Sequence, residues 1–219
     1  MKLTNIAKKY DEDYIFENVN LNFTKNNIYS IFGRNGVGKT TLLNIMGGNL
    51  SYDKGEISKD SDDIIFIENN SIPFEFMTAD EFIDITFSFK SGTYDLEEKA
   101  KLYDELNFHE NTKLIQDFSK GMKSKLLLVI ALLAKPKILL LDEPFSDLDT
   151  VTFKKITKQF KTKKSEMIII FSTHIPTIAY KFSDRLIFLS KKGAIEMDNH
   201  FTTIEKLEIQ IEKHIQYSN

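Results

Sequence analysis

A glycine-rich octapeptide, Gly33–Thr40, contains the residues needed to bind a phosphate chain. It fits the pattern G-x-x-x-x-G-K-[ST], and it lies between an apolar run at 28–32 and a helical pattern that begins at Lys39. Glycines allow successive backbone N–H groups to point at phosphate oxygens, and a helix start adds a favourable dipole. The amine of Lys39 can reach β- and γ-phosphates, and the hydroxyl of Thr40 can ligate Mg²⁺. The octapeptide therefore predicts a phosphate-binding loop (P-loop).

Two adjacent carboxylates, Asp142 and Glu143, follow the apolar run Ile138–Leu141, which predicts a buried strand. Open α/β sheets bind ligands at the carboxyl ends of their strands, so Asp142 is placed to hold Mg²⁺. Glu143 is suited to polarise an attacking water as a general base. An Asp-Glu pair after a strand is by itself most often a solvated turn or a helix cap. The P-loop upstream favours the catalytic interpretation.

The surrounding pattern predicts the elements that must position these groups. Residues 1–32 are β-rich, a helix spans 39–46, and 73–135 has helical spacing with no strand signal. Short strands are predicted near 55–58, 63–67, 138–141, 167–171 and 185–189, and a surface helix at 202–214. Strands that alternate with helices predict an α/β fold with a parallel sheet covered on both faces. We expect one domain over 1–219, with a core at 1–72 and 136–219 that carries the P-loop and a helical subdomain at 73–135.

Composition limits the functional classes. The net charge of −3, with only two arginines among 29 basic residues, gives no general attraction to nucleic acid, which is not expected as a partner. The absence of cysteine excludes disulfides and thiol chemistry. The N-terminus lacks the apolar stretch of a signal peptide. The longest apolar run, Leu126–Ala134, is far shorter than the ~20 residues that a membrane helix needs.

A third segment, Phe118-Ser119-Lys120-Gly121-Met122-Lys123, stands just before an apolar helical pattern. With it, nearly the whole chain resembles the nucleotide-binding subunit of ABC transporters, a P-loop NTPase fold with an N-terminal antiparallel β-subdomain and an inserted helical subdomain. The segment resembles the ABC signature, which other P-loop classes lack. The other matching motifs are Walker A (Gly33–Thr40), Walker B with the catalytic glutamate (Ile138–Glu143), the D-loop (Ser146–Asp149) and the switch-histidine segment (Phe171–His174).

The resemblance implies a set of site residues. Catalysis would involve Glu143, His174 and Lys39, and Mg²⁺ would be held by Thr40, Asn69 and Asp142. ATP would be bound by Tyr10, Gly33, Asn35, Gly36, Gly38, Lys39, Thr40, Thr41, Asn69, Asp149 and, from a facing subunit, Ser119 and Gly121.

The sequence departs from the family pattern in the signature and in two further loops. Lys120 stands where the signature has glycine. The Q-loop glutamine aligns with Asn69, whose arm is one methylene shorter, and the register could shift to Asn70. Asp147 replaces a small D-loop residue and places an extra carboxylate near the expected dimer interface.

The resemblance also implies partners and a location. We expect a second ABC ATPase subunit, alike or different, and an integral membrane permease contacted by the apolar segment Ile72–Met77. The chain would lie in the cytoplasm, held at the inner face of the membrane by the permease. The signature is similar to that of bacterial exporters of peptides, antibiotics or lipids. The alternative is a non-transport ABC ATPase with soluble partners, although Lys39 and Asp142 are too close in sequence for the long coiled coil of repair types.

Overall fold

The computed structural model describes residues 1–68, 72–89, 92–109 and 112–216. The strands are β1 (Lys2–Tyr10), β2 (Asp13–Asn22), β3 (Ile28–Phe32), β4 (Lys54–Ser58), β5 (Ile64–Ile67), β6 (Ile138–Leu141), β7 (Ile168–Thr173), β8 (Arg185–Ser190) and β9 (Gly193–Asp198). The helices are α1 (Lys39–Gly47), α2 (Ala79–Phe89), α3 (Leu96–Leu106), α4 (Lys120–Ala134), α5 (Thr150–Lys163), α6 (Pro176–Phe182) and α7 (Ile204–Gln216).

The central sheet has the strand order β5-β6-β7-β3-β8-β9. The first five strands in this order run parallel, and β9 pairs antiparallel with β8 at the edge. Every residue of β3, β6 and β7 is buried, because helices and the second sheet cover both faces; this explains their uninterrupted apolar sequences. The carboxyl ends of β6, β7 and β3 therefore meet at one edge, where the P-loop also begins.

The second sheet is antiparallel, with the order β2-β1-β4. Its buried residues, among them Ile6 and Phe16, belong to the same apolar cluster as Leu42 and Met46 of α1. This packing places the second sheet beside the first turn of the P-loop helix.

The helices α2, α3 and α4 occupy the segment between β5 and β6. Residues 126–133 of α4 are all buried, so α4 is the central helix of this segment. The carboxylate of Glu98 on α3 forms ion pairs with Lys135, just after α4, and with Lys163 at the end of α5. The helical segment is thus tied to α5, which lies after β6 in the chain.

The predicted α/β architecture is confirmed, with small shifts at element ends. The strand predicted at 167–171 spans 168–173, and the helix predicted at 202–214 spans 204–216. The sequence pattern did not predict β9, whose residues are mostly half-buried or exposed and which depends on its pairing with β8. Within the described ranges, no helix has both the length and the apolarity to cross a membrane.

Candidate nucleotide-binding and hydrolysis site

The P-loop joins the carboxyl end of β3 to α1. Gly36 and Gly38 both have positive φ, 81° and 101°, which glycine adopts without strain. At Gly38 a Cβ would also lie 2.6 Å from Cγ2 of Ile15 and 2.9 Å from Phe16, so the second sheet leaves room only for glycine. The loop conformation therefore depends on contacts between the two sheets as well as on its own sequence.

The side chain of Lys39 is folded back onto the loop. Its Nζ donates to the carbonyls of Gly33 (2.9 Å) and Arg34 (3.3 Å) and lies 3.8 Å from Oε1 of Glu143. Burial lowers the pKa of Lys39, and the carboxylates of Glu143 and Asp142 oppose this shift. The amine thus has weak carbonyl partners that an anionic phosphate can replace.

Asp142 ends β6 and receives two hydroxyl hydrogen bonds. Thr40 Oγ1 donates to Oδ2 at 2.6 Å, and Ser172 Oγ donates to Oδ1 in a short contact. The residue is only 6% exposed, and no ion pair within the described part of the chain neutralises its carboxylate. The nearby amine of Lys39, whose pKa burial lowers and this carboxylate raises, partly offsets its charge, and the buried oxygens remain donors of the kind that Mg²⁺ binds.

Glu143 has a left-handed backbone (φ 47°) that turns the chain away from the sheet. Its N–H donates to Ser172 Oγ at 2.9 Å, and its Oε1 lies 2.9 Å from Nδ1 of His174. Ser172 therefore connects the two carboxylate residues. Sequence reasoning missed this role, although Ser172 lies inside the segment Phe171–His174 and is the first polar residue after the apolar run that begins β7.

One pocket of about 260 Å³ collects six of the twelve residues predicted to bind ATP. Its lining is Ile15, Asn35, Gly36, Gly38, Lys39, Thr40, Thr41 and Glu143. Ion-pair and hydrogen-bond contacts extend this group to Gly33, Asp142 and His174. Residues from four separate regions of the sequence thus meet at one edge of the central sheet.

The remaining predicted residues do not line this pocket. Tyr10, 50% exposed, lies at the end of β1 in the hairpin that carries Ile15. Ser119 caps α4 by accepting from Met122 N, and Gly121 packs on the backbone of the D-loop. The predicted Q-loop residues Asn69 and Asn70 lie outside the described residues.

Asp149 acts as the N-cap of α5. Its Oδ1 accepts from the backbone N–H groups of Val151 and Thr152, both at 2.9 Å, and its Oδ2 accepts from the Thr152 hydroxyl at 2.6 Å. These bonds, the Thr152 hydroxyl first, hold the pKa of the Asp149 carboxyl below its usual value. The carboxylate is thus committed to the helix, and a direct contact with nucleotide stays a prediction.

The oxygen ligands beside Lys39 fit Mg²⁺. Mg²⁺ prefers oxygen donors and is usually held by one or two carboxylates together with substrate phosphates and water. Thr40 Oγ1 and the Asp142 carboxylate supply such donors next to the phosphate loop. Within the described residues, no group of three or more His, Cys, Asp or Glu side chains is arranged as a separate metal site.

The geometry defines a P-loop ATPase of the ABC class, and comparison with known proteins agrees. The family model described as "ABC transporter" matches residues 16–146. The chain therefore belongs to the ABC transporter family, as an ATP-binding subunit that binds and hydrolyses ATP.

Curated relatives match most of the chain. It is 32% identical over 206 residues to the uncharacterized ABC transporter ATP-binding protein YxlF of Bacillus subtilis, covering 89% of this chain and 69% of that protein. It is 29% identical to the lantibiotic transport ATP-binding protein SrtF of Streptococcus pyogenes, covering 95% and 94%. It is 31% identical to the spermidine/putrescine import ATP-binding protein PotA of Spiroplasma citri, covering 90% of this chain but 60% of that one. The relatives thus include one protein named for import and one named for lantibiotic transport.

Solved structures share the fold. The dimeric cassette MJ0796, in a post-hydrolysis state with ADP and Pi, superposes with a TM-score of 0.77 at 27% identity, covering 91% of this chain and 99% of that one. An ATP-binding subunit of an ABC transporter superposes with a TM-score of 0.83 at 20% identity, covering 96% and 98%. The second likeness shows the fold alone.

Proposed function

We propose that this chain hydrolyses MgATP to drive a transporter, together with a second ABC ATPase subunit and a separate membrane permease. The observation that carries the proposal is the connected set Thr40–Asp142–Ser172–Glu143–His174 beside Lys39. These residues come from three stretches of sequence, yet each is hydrogen-bonded to the next, and the link from Glu143 to Ser172 is made by the Glu143 backbone N–H.

The site residues divide the work of hydrolysis. Lys39 exchanges the carbonyls of Gly33 and Arg34 for phosphate oxygens, and the P-loop amides hold the remaining phosphate charge. Thr40 and Asp142 hold Mg²⁺, which neutralises negative charge on the phosphates when it is bound.

Glu143 and His174 act on the water. Oε1 of Glu143 accepts a proton from the attacking water. The water oxygen bonds to the γ-phosphorus while the bond from that phosphorus to the β–γ bridging oxygen breaks, so that ADP and phosphate leave. His174 lies 2.9 Å from the same oxygen and fixes its direction. The left-handed turn at Glu143 keeps this carboxylate at the pocket and leaves the Mg²⁺ position to Asp142.

A second subunit completes the site. Ser119 and Gly121 begin α4 and do not line the P-loop pocket of their own chain. We propose that they contact the γ-phosphate of ATP on a facing subunit, in a head-to-tail pair. The MJ0796 cassette, which is dimeric, supports the pairing of two such subunits.

An apolar groove supports a permease contact. A cavity of about 550 Å³ is lined by residues of β5, α2 (including Phe89) and α4, and by Phe74 in the segment before α2. Phe89 is 75% exposed, and Phe76, two residues after Phe74, is 83% exposed. Large exposed aromatic groups indicate an interaction surface, and a short coupling helix of a permease fits it. We propose that the helical subdomain 73–135 carries this surface, and that 1–72 and 136–219 form the ATP-binding core.

Export is the direction we propose, with a peptide, antibiotic or lipid-like cargo. The match to SrtF covers nearly all of both chains, whereas the match to PotA leaves two fifths of that protein uncovered. The chain would then work at the inner face of the cell membrane, held there by its permease.

The variant Glu143→Gln tests the proposal. It removes the base but keeps shape and hydrogen bonding, so ATP turnover should fall about a hundredfold or more while ATP binding remains. Glu166→Gln is the matched control, because Glu166 is exposed at the amino end of β7, away from the site. Turnover of Glu143→Gln equal to that of the control would overturn the assignment of the base.

The same variant identifies the partner. It should remain bound to its partners in MgATP, so a tagged form is isolated from gently solubilised membranes and its partners are identified by mass spectrometry. A multi-spanning membrane protein is expected. Exclusively soluble partners, from a sample that binds ATP, would favour the non-transport ABC ATPase instead.

A further inference from the structure

A positive charge stands on the exposed side of the P-loop. Arg34, one of only two arginines, is exposed, and its backbone carbonyl is fixed by hydrogen bonds from Lys39 Nζ and Val37 N, both at 3.3 Å. Among the described residues no acidic side chain forms an ion pair with its guanidinium. Beside it a cavity of about 460 Å³ is lined in part by Lys192 and by Lys191, whose Nζ lies 3.8 Å from Oδ1 of Asp13. This side of the P-loop is therefore cationic.

A negative charge is fixed to the signature segment. The D-loop residue Asp147 packs on Gly121 so closely that a Cβ on the glycine would lie 2.8 Å from the Asp147 carbonyl oxygen. Ser146 Oγ donates to the Asp147 carboxylate at 3.2 Å and to the Glu143 carbonyl at 3.1 Å. Asp147 therefore moves with the start of α4.

These two positions are brought together by the head-to-tail pair, on which this inference rests. When Gly121 of one subunit reaches the phosphates on the other, it carries Asp147 to the same P-loop. The carboxylate is thereby carried to the nucleotide site whose P-loop includes Arg34, which would place opposite charges on the two sides of the interface at both sites.

We propose that Asp147 of one copy pairs with Arg34 of a second copy of this chain, twice in each dimer, and that this pair selects the homodimer. In a two-fold dimer of identical chains, each contact joins one residue of the first chain to a different residue of the second. The same chain must therefore carry both members of the charge pair. This chain carries both charges on its nucleotide face. Charge complementarity of this kind acts chiefly on partner choice and association rate.

The test measures dimerisation of the full chain carrying Glu143→Gln, by sedimentation velocity in MgATP. Arg34→Glu and Asp147→Arg, added singly, should each weaken homodimerisation by about tenfold or more, because like charges then meet at both contacts. An equimolar mixture of the two single variants should dimerise like the parent, because every mixed dimer has opposite charges at both contacts. The double variant should also recover.

Rescue by mixing separates this contact from an internal role. A pair within one chain is restored by the double variant but not by mixing, since each chain in the mixture keeps its own defect. Recovery of the double variant alone would therefore overturn the proposal, as would single variants that dimerise like the parent.

Lys25→Glu is the matched charge control. Lys25 is exposed in the turn before β3, at the opposite end of that strand from the P-loop, and the substitution changes the charge as Arg34→Glu does. It should leave dimerisation unchanged; an equal loss would assign the effect to net charge and overturn the proposal.

If a charge-reversing substitution prevents ATP binding, the neutral variants Arg34→Gln and Asp147→Asn replace it. These should reduce the salt dependence of dimerisation, and an unchanged dependence would count against the pair.

The chain that carries Glu143→Gln alone distinguishes failure of the homodimer from failure of the Arg34–Asp147 contact. If it binds ATP but forms no homodimer, pairing with a second copy is overturned, while a heterodimeric transporter ATPase still stands. If it dimerises and charge has no influence, only the Arg34–Asp147 contact is overturned.

Discussion

Ser172 is the residue on which the two carboxylates of the site converge. Its hydroxyl donates to Asp142 and accepts the N–H of Glu143 at 2.9 Å, and the residue is fully buried. One side chain thereby sets both the direction of Asp142 and the start of the left-handed turn at Glu143. We infer a positioning role, since Ser172 does not line the nucleotide pocket.

Ser172→Ala should lower both stability and turnover. It leaves the Glu143 N–H without its partner, which costs about 1–3 kcal/mol of unfolding free energy. It also frees Asp142, so half-maximal ATPase activity should need more Mg²⁺. Denaturant unfolding and a Mg²⁺ titration of ATPase activity measure the two effects.

Ser30→Ala provides the control for Ser172→Ala. Ser30 is equally buried in β3, and its hydroxyl bonds Ser183 at 3.0 Å, away from the carboxylates. The control should lose stability yet keep its Mg²⁺ requirement. Equal Mg²⁺ requirements in the two variants would show that Ser172 is purely structural.

At the scale of elements, the cap of α5 links stability to pH. The pKa of Asp149 is lower in the folded chain than in the unfolded chain, where it is about 4. The carboxylate therefore contributes its full stabilisation at pH values above the unfolded pKa, and this stabilisation is lost as the pH falls through the folded pKa. Asp149→Ala should cost about 1 kcal/mol at neutral pH. Asp149→Asn should keep the cap and reduce the acid dependence, as measured by urea unfolding at several pH values.

Asp95→Ala is the comparison for the α5 cap. Asp95 caps α3 through Glu97 N and Glu98 N and lies in the helical segment. It should cost similar stability without changing ATPase activity per folded molecule. If Asp149→Ala also leaves ATPase activity per folded molecule unchanged, Asp149 has only a structural role. That outcome would contradict its predicted part in nucleotide binding.

The contact between α4 and the D-loop gives a second prediction at this scale. Gly121→Ala places a methyl group 2.8 Å from the Asp147 carbonyl oxygen, so the D-loop must shift. We expect MgATP-driven dimerisation, measured in the Glu143→Gln background, to weaken by about tenfold or more, as overpacking costs 1–3 kcal/mol.

Gly47→Ala controls for adding a methyl group in a helix, because its Cβ would meet nothing nearer than 3.5 Å. It should leave dimerisation intact. Dimerisation of Gly121→Ala as strong as that of Gly47→Ala would mean that the D-loop adapts without cost.

At the scale of the whole molecule, contiguous patterns were predictable and long-range contacts were not. Gly33–Thr40 and Ile138–Glu143 contain their chemistry within a few residues, and apolar runs locate the parallel strands. Ser172 acquires its role only because β7 lies beside β6 in the sheet. The packing of Gly121 on Asp147 joins residues 26 positions apart (147 − 121) and leaves no local pattern. Strand β9 likewise forms because β8 supplies its hydrogen bonds.

The exposed ring of Tyr10 offers a position for a fluorescent probe of nucleotide binding, because the chain contains no tryptophan whose emission would interfere. Tyr10→Trp would introduce the sole indole fluorophore, beside the nucleotide pocket in the hairpin that carries Ile15. Stacking on adenine should quench its emission on ATP addition, and a fluorescence titration would report the affinity directly. Phe89→Trp, exposed in the helical segment, should not respond. An unquenched Tyr10→Trp that still binds ATP would place the adenine elsewhere, and a quenched one would supply a real-time signal for each turnover.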